Sequence, residues 1–167
     1  MESNHIFYAG YFALWAMLLF SLGNCGFTIA YVRDEAKNVN FCVYGLAIAS
    51  ILVIIELSAG VPAGFWKYRT YHEISTYTLV VSVFSLFYGL LTAGFSRLTS
   101  GNCCLNPKIR LGFVLVFLIL WIVAASMATF MGPFLSTGNG YFAVWACVVF
   151  AGMAFVNTER GLSSLSI

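Results

Sequence analysis

The sequence predicts an all-α integral membrane protein, a bundle of about five transmembrane helices joined by short loops in a single domain, 1–167. Two observations predict this fold class. The chain is 61% apolar and only 8% charged, whereas a soluble domain carries about 25% charged residues. The apolar residues also fall into five runs, each close to the roughly 20 residues that a helix needs to cross a bilayer.

The five runs define the predicted spans. The first is long enough to tilt or to emerge from the bilayer, and the fifth is near the minimum length. A membrane barrel would show alternating segments of about ten residues, and these runs are too long and continuous for strands. The start, MESNH, lacks the basic region of a signal peptide, so we expect a retained first span. The spans cover about 6–32, 41–60, 76–96, 109–131 and 140–157.

The distribution of basic residues predicts the orientation. Loops 33–40 and 97–110, together with the C-terminal tail, carry six Lys and Arg residues, whereas loops 61–75 and 132–139 and the N-terminal tail carry two. Cytoplasmic loops are enriched in Lys and Arg. The sequence therefore predicts an extracytoplasmic N-terminus and a cytoplasmic C-terminus.

One heptapeptide occurs near both ends of the chain: GYFALWA at 10–16 and GYFAVWA at 140–146. Seven of eleven positions are identical between 10–20 and 140–150. The copies are four spans apart and enter the membrane from the same side, as in a parallel repeat. This pattern predicts a four-span unit followed by one extra helix.

The repeat has two interpretations. Its Tyr and Trp residues can be interfacial anchors on two similar helices. Alternatively, small residues spaced in fours form a packing face that docks on a neighbouring subunit, which would build rows or tubes. The candidate packing and assembly residues are Gly10, Ala13 and Ser21 in the first copy and Gly140, Ala143 and Ala151 in the second.

Glu56 is the only carboxylate well inside a predicted span. An ionisable group at this depth suggests a proton or cation site of a small channel or transporter. The alternative, which we favour, is a structural carboxylate that pairs with Lys67, Arg69 or His72 and holds the second helix to loop 61–75.

Loop 61–75 interleaves aromatic and basic residues, which is typical of an interfacial anchor or of a surface that contacts another protein. Its candidate residues are Trp66, Lys67, Tyr68, Arg69 and Tyr71.

Two adjacent cysteines, Cys103 and Cys104, lie beside the membrane in loop 97–110. On the cytoplasmic side they are candidates for palmitoylation. On a lumenal side, a disulfide with Cys42 would be possible instead. The charge distribution favours the first alternative.

Motifs of known chemistry are absent from the sequence, including the nucleophile elbow, the zinc-protease helix, the phosphate-binding loop and the redox Cys pair. We therefore expect no enzyme activity, no cofactor and no metal site. The net charge of +2 gives no support for nucleic-acid binding.

The first four spans, 6–131, resemble the MARVEL-like and broader tetraspan families in size and hydropathy, and TGNGYFAVWA (137–146) is similar to an element of other multi-span proteins. The fifth span departs from the four-span pattern. The resemblance implies a non-enzymatic role in organising or shaping membrane. The expected partners are the lipid bilayer and either further copies of the chain or other membrane proteins. The alternatives are an accessory subunit of a large membrane complex and a small channel or transporter that uses Glu56.

Overall fold

The computed structural model describes residues 35–59, 69–98, 106–135 and 138–164, and the regular secondary structure in these ranges is helical. Each of the four helices is long and apolar enough to cross a membrane. The chain is therefore an all-α, multi-pass integral membrane protein. The helices are α1 (Glu35–Ala59), α2 (Arg69–Leu98), α3 (Pro107–Phe130) and α4 (Asn139–Ser164).

The described residues contain four candidate spans and not the predicted five: Val39–Ser58, Tyr71–Phe95, Lys108–Phe130 and Asn139–Ser163. These correspond to the second to fifth predicted spans. The first predicted span, 6–32, lies outside the described residues.

The helices extend beyond the apolar runs that predicted them. Helix α1 begins at Glu35 inside predicted loop 33–40, α2 begins at Arg69 inside predicted loop 61–75, and α4 continues past residue 157 to Ser164. Hydropathy marks only the part of a helix that suits lipid. Backbone hydrogen bonding continues into the interface, where polar side chains are solvated, until a breaking residue or a turn intervenes.

Helix α3 has clear start and stop signals. Asn106 precedes it, and the Asn106 side chain accepts a hydrogen bond from the Lys108 backbone N–H at 3.1 Å. Pro107 occupies the first turn, where its missing N–H is not needed. After the helix, Gly132 adopts φ +105°, a conformation that favours glycine. This turn, followed by Pro133, reverses the chain towards α4.

Residues 35–167 form one unit, in which α1 packs against α2 and α4, and α3 packs mainly against α4. The α2–α3 pair is antiparallel, since Tyr77 contacts Leu120 near one end and Tyr88 contacts Phe113 nearer the other. The largest fully buried side chain is that of Trp121. Core residues packed in the same cluster include Val53, Leu57, Val144 and Cys147.

Candidate functional site

The small face of α4 is covered within its own bundle. Ala143 is 4% exposed and Ala151 is fully buried. A Cβ atom added to Gly140 would overlap the ring of Phe134. These three predicted assembly residues thus pack inside the chain. Their counterparts Gly10, Ala13 and Ser21 lie outside the described residues.

Two of the four variable positions of the repeat lie in the buried core. Val144 and Cys147 are fully buried, and the first copy has the larger residues Leu14 and Met17 at these positions. Most of the identical residues are instead half-buried. The shared part of the repeat is therefore mainly an aromatic flank of the helix rather than its most buried positions. The half-buried identical residues are Tyr141, Phe142, Trp145, Ala146 and Phe150.

The α1–α4 interface brings small side chains into close contact. A Cβ atom added to Gly45 would lie 2.5 Å from the ring of Phe150. Ser50 Oγ lies 3.9 Å from Cys147 Sγ. Small residues allow membrane helices to approach closely without a hydrophobic driving force.

Helix α2 presents a buried seam of small residues that sequence reasoning missed. Its hydroxyl groups at positions 78, 82, 85 and 92 donate to the carbonyl oxygen four residues earlier, at 2.7–2.8 Å. The indole Nε1 of Trp121 donates to Ser85 Oγ at 2.8 Å. In the sequence, these small residues are separated alternately by three and four positions, and this spacing could have identified the seam. This hydroxyl seam consists of Ser75, Thr78, Ser82, Ser85, Gly89 and Thr92.

Glu56 is half-buried in α1, and no hydrogen bond or ion pair to it occurs in the part of the chain that the structure describes. The contacts of Gly45 with Phe150 and of Ser50 with Cys147 define an antiparallel register. This register places Glu56 at the level of the first turn of α4. A helix N-terminus stabilises negative charge, which would be a structural role different from the predicted pairing with Lys67, Arg69 or His72.

Of the expected partners of Glu56, Arg69 pairs with a different carboxylate. Arg69 Nε donates to Glu73 Oε1 at 3.3 Å, and both side chains are exposed. His72 is also exposed, and Lys67 lies outside the described residues. An exposed pair one helical turn apart adds only about 0.2–0.5 kcal/mol.

The predicted partner loop is partly helical. Arg69 and Tyr71 belong to α2, which corrects their assignment to a loop, since the helix continues beyond its apolar run. The Tyr71 ring lies against Gly132, where an added Cβ would overlap it. Tyr71 thus ties the start of α2 to the turn between α3 and α4. Trp66, Lys67 and Tyr68 lie outside the described residues.

Among the cysteines, Cys42 and Cys147 are free and buried. The lipidation candidates Cys103 and Cys104 lie outside the described residues.

Arg110 is a buried cation in α3. The sequence counted it with the basic residues of loop 97–110, although the predicted fourth span begins at about 109. The side chain is 8% exposed. Its Nη2 donates to Asn40 Oδ1 at 2.5 Å. Its Nε is buried and forms no hydrogen bond to the residues that the structure describes. The spacing of Arg110 from Val114 and Phe117, which puts all three on one helical face, was the signal that could have identified it.

An aromatic groove of about 290 Å³ separates α2 from α3 at the end nearer their connection. The rings of Tyr88 and Phe117 are tilted with centroids 5.3 Å apart, and they hold the helices apart here. The groove is lined by Phe84, Phe87, Tyr88, Leu91, Thr92, Phe95, Phe113 and Phe117.

The described residues contain no group of three or more His, Cys, Asp or Glu side chains that could hold a metal ion. Their arrangement offers helix-packing faces, a buried cation and an exposed aromatic groove. Comparison with known proteins adds no family: no family model, no curated protein and no solved structure matches the chain.

Proposed function

We propose that the protein is a non-enzymatic structural membrane protein that associates laterally with further copies of itself and so organises or shapes the membrane. The observation that supports this most is the packing of the second repeat copy. Gly140, Ala143 and Ala151 are buried within the chain, and a Cβ atom added to Gly140 would overlap the ring of Phe134.

The sequence of the first copy has a similar pattern of small residues, which we propose for the contact between molecules. Gly10, Ala13 and Ser21 repeat the small-residue spacing, and such spacings promote helix association in lipid. A contact between two different surfaces of neighbouring copies need not close into a ring. Repetition of it would produce rows or tubes.

The described interior supports a structural role over transport. Trp121, Val53 and Leu57 fill it with apolar volume, and the hydroxyl groups at positions 78, 82, 85 and 92 bond to their own helix. Hydroxyl groups bonded in this way satisfy their donors within the helix and contribute to packing.

The test is the mass of the full chain, expressed alone and extracted in mild detergent, measured by light scattering and checked by electron microscopy. We expect particles of several copies for the wild type. Ala13→Leu should reduce them to monomers, because the larger side chain prevents close approach of the helices. The matched control Leu14→Val, which copies the residue at position 144, should leave the mass unchanged.

A wild-type chain that is a stable monomer would overturn self-association. A chain that remains folded only with co-purified membrane proteins would also overturn it, in favour of an accessory subunit of a larger complex.

A further inference from the structure

The bundle has a second, smaller apolar cluster at the end where α3 begins. In the described ranges the main cluster has sixteen buried members, including Trp121 and Val53, and the smaller one has five. A region with few buried apolar contacts opens at a lower free energy than a main core. The smaller cluster, here called the end cluster, consists of Val39, Cys42 and Val43 of α1, Val114 of α3 and Ala154 of α4.

A buried cation adjoins the end cluster. Arg110 lies one helical turn before Val114 on the same face of α3, and Asn40 follows Val39 in α1. Arg110 Nη2 donates to Asn40 Oδ1, and Arg110 Nε forms no hydrogen bond to the described residues. The guanidinium is therefore desolvated beside a neutral partner, without the compensation that an anion gives to a buried charge.

The Arg110–Asn40 hydrogen bond joins two helices that make little other contact. Helix α1 packs against α2 and α4, and α3 packs mainly against α4. At this end the aromatic groove also separates α3 from α2. The start of α3 is thus held to α1 by the end cluster and by one hydrogen bond across the interior of the bundle.

We propose that the Arg110–Asn40 hydrogen bond is a latch, and that its release lets this end of the bundle open while the main core stays packed. Arg110 is the third residue of the candidate span Lys108–Phe130, so in the open state its long side chain reaches the membrane–water interface and is solvated there. The charge favours the open state, whereas Asn40 and the end cluster favour the closed one. The opening does not depend on self-association of the protein.

Two native thiols report on the opening. Cys42 belongs to the end cluster and is 2% exposed, whereas Cys147 belongs to the main cluster and is fully buried. The full chain, with Cys25→Ser, Cys103→Ser and Cys104→Ser, is reconstituted in lipid bilayers and treated with iodoacetamide, and mass spectrometry follows each thiol. We expect Cys42 to be alkylated at least about tenfold faster than Cys147. Equal rates would overturn the proposal, because both thiols would then react only through unfolding of the whole bundle.

The latch itself is tested by removing one partner and then both. Asn40→Leu takes away the acceptor of the guanidinium and should accelerate alkylation of Cys42 about tenfold, as expected for the loss of one hydrogen bond to a charged group, with no change at Cys147. Adding Arg110→Met removes the charge as well and should return Cys42 to the wild-type rate or below it, since apolar replacement of a buried charged pair is often neutral or stabilising. The control Thr78→Val removes a fully buried hydroxyl outside the end cluster and should leave the rate at Cys42 unchanged.

Two further outcomes would overturn the proposal. Equal acceleration of both thiols by Asn40→Leu in a folded chain would show a loss of global stability and not the release of a latch. Faster alkylation of Cys42 in the double variant than in the wild type would show that the charge holds this end closed. The double variant decides between these alternatives even if Asn40→Leu alone does not fold.

Discussion

The α1–α4 interface is packed with small side chains, whereas the α2–α3 interface is packed with large aromatic ones. Between α1 and α4, Gly45, Cys147 and Ala151 allow close approach. Between α2 and α3, the rings of Tyr88 and Phe117 hold the helices apart beside a groove. Lipid tails are as apolar as leucine, so close fit and not hydrophobicity holds membrane helices together. Side-chain size therefore determines where the helices approach closely and where a groove remains between them.

Helix α2 contains both kinds of surface within one turn. Gly89 faces α1, where an added Cβ would lie 2.5 Å from the Cβ of Ala47. Leu91, two residues later, lines the groove and is 43% exposed. The same helix is thus tightly packed on one side and open to lipid on another.

The largest effect is expected from adding volume to the close interface. Ala151→Leu places three extra carbon atoms at a fully buried position and should destabilise the bundle by about 3 kcal/mol, at the upper end of overpacking costs. Val149→Leu, at a position 57% exposed on the same helix, should change stability by less than about 0.5 kcal/mol. Reversible unfolding in mixed micelles measures both. Equal stability of the two variants would contradict the close packing of α4 at Ala151.

A smaller effect is expected at the second close contact. Gly89→Ala should cost about 1–2 kcal/mol, since neither the Ala47 side chain nor its backbone can move away easily. Gly94 has open space around the position of a Cβ, so Gly94→Ala should stabilise α2 by up to about 1 kcal/mol through helix propensity alone. In thermal unfolding, we expect Gly89→Ala to lower the melting temperature and Gly94→Ala to raise it. A stabilising Gly89→Ala would contradict the close approach of α1 and α2.

The smallest change in stability is expected at the hydrogen bond between Trp121 of α3 and Ser85 of α2. Ser85→Ala removes the acceptor of the Trp121 indole and should cost about 1 kcal/mol, as expected for one interhelical hydrogen bond in a membrane. Ser82→Ala removes a hydroxyl that donates within α2 and should be close to neutral. If Trp121→Phe makes Ser85→Ala silent in a double-mutant cycle, the bond is confirmed. An unchanged cost in the Phe background would show that Ser85 acts through packing.

Hydropathy predicted the helical class and the positions of four helices, because the requirement for internal backbone hydrogen bonding leaves few structures that can span lipid. It did not predict the helix ends. Arg69 and Tyr71 are polar enough to resemble a loop, yet they continue α2 into the interface. The sequence cannot distinguish a solvated helical turn from a solvated loop by polarity alone.

The candidate site was less predictable than the fold. Gly140, Ala143 and Ala151 have the spacing of a packing face, but spacing does not say whether the covering helix belongs to the same chain. The sequence counted Arg110 with the basic residues of loop 97–110 and gave no sign that its side chain is buried and bonded to Asn40 of α1. The groove depends on which rings of α2 meet which rings of α3, and this relation between distant residues has no local signal.

The hydroxyl seam of α2 has a consequence for biogenesis. Four of its hydroxyl groups are already bonded to α2 carbonyl oxygens before any other helix is needed. Such internally satisfied groups reduce the penalty for placing a polar helix alone in hydrocarbon. Helix α2 can therefore leave the translocon as an independent span. The small side chains of the seam then allow α1 to pack closely against α2. Membrane insertion and bundle assembly can therefore proceed as separate stages.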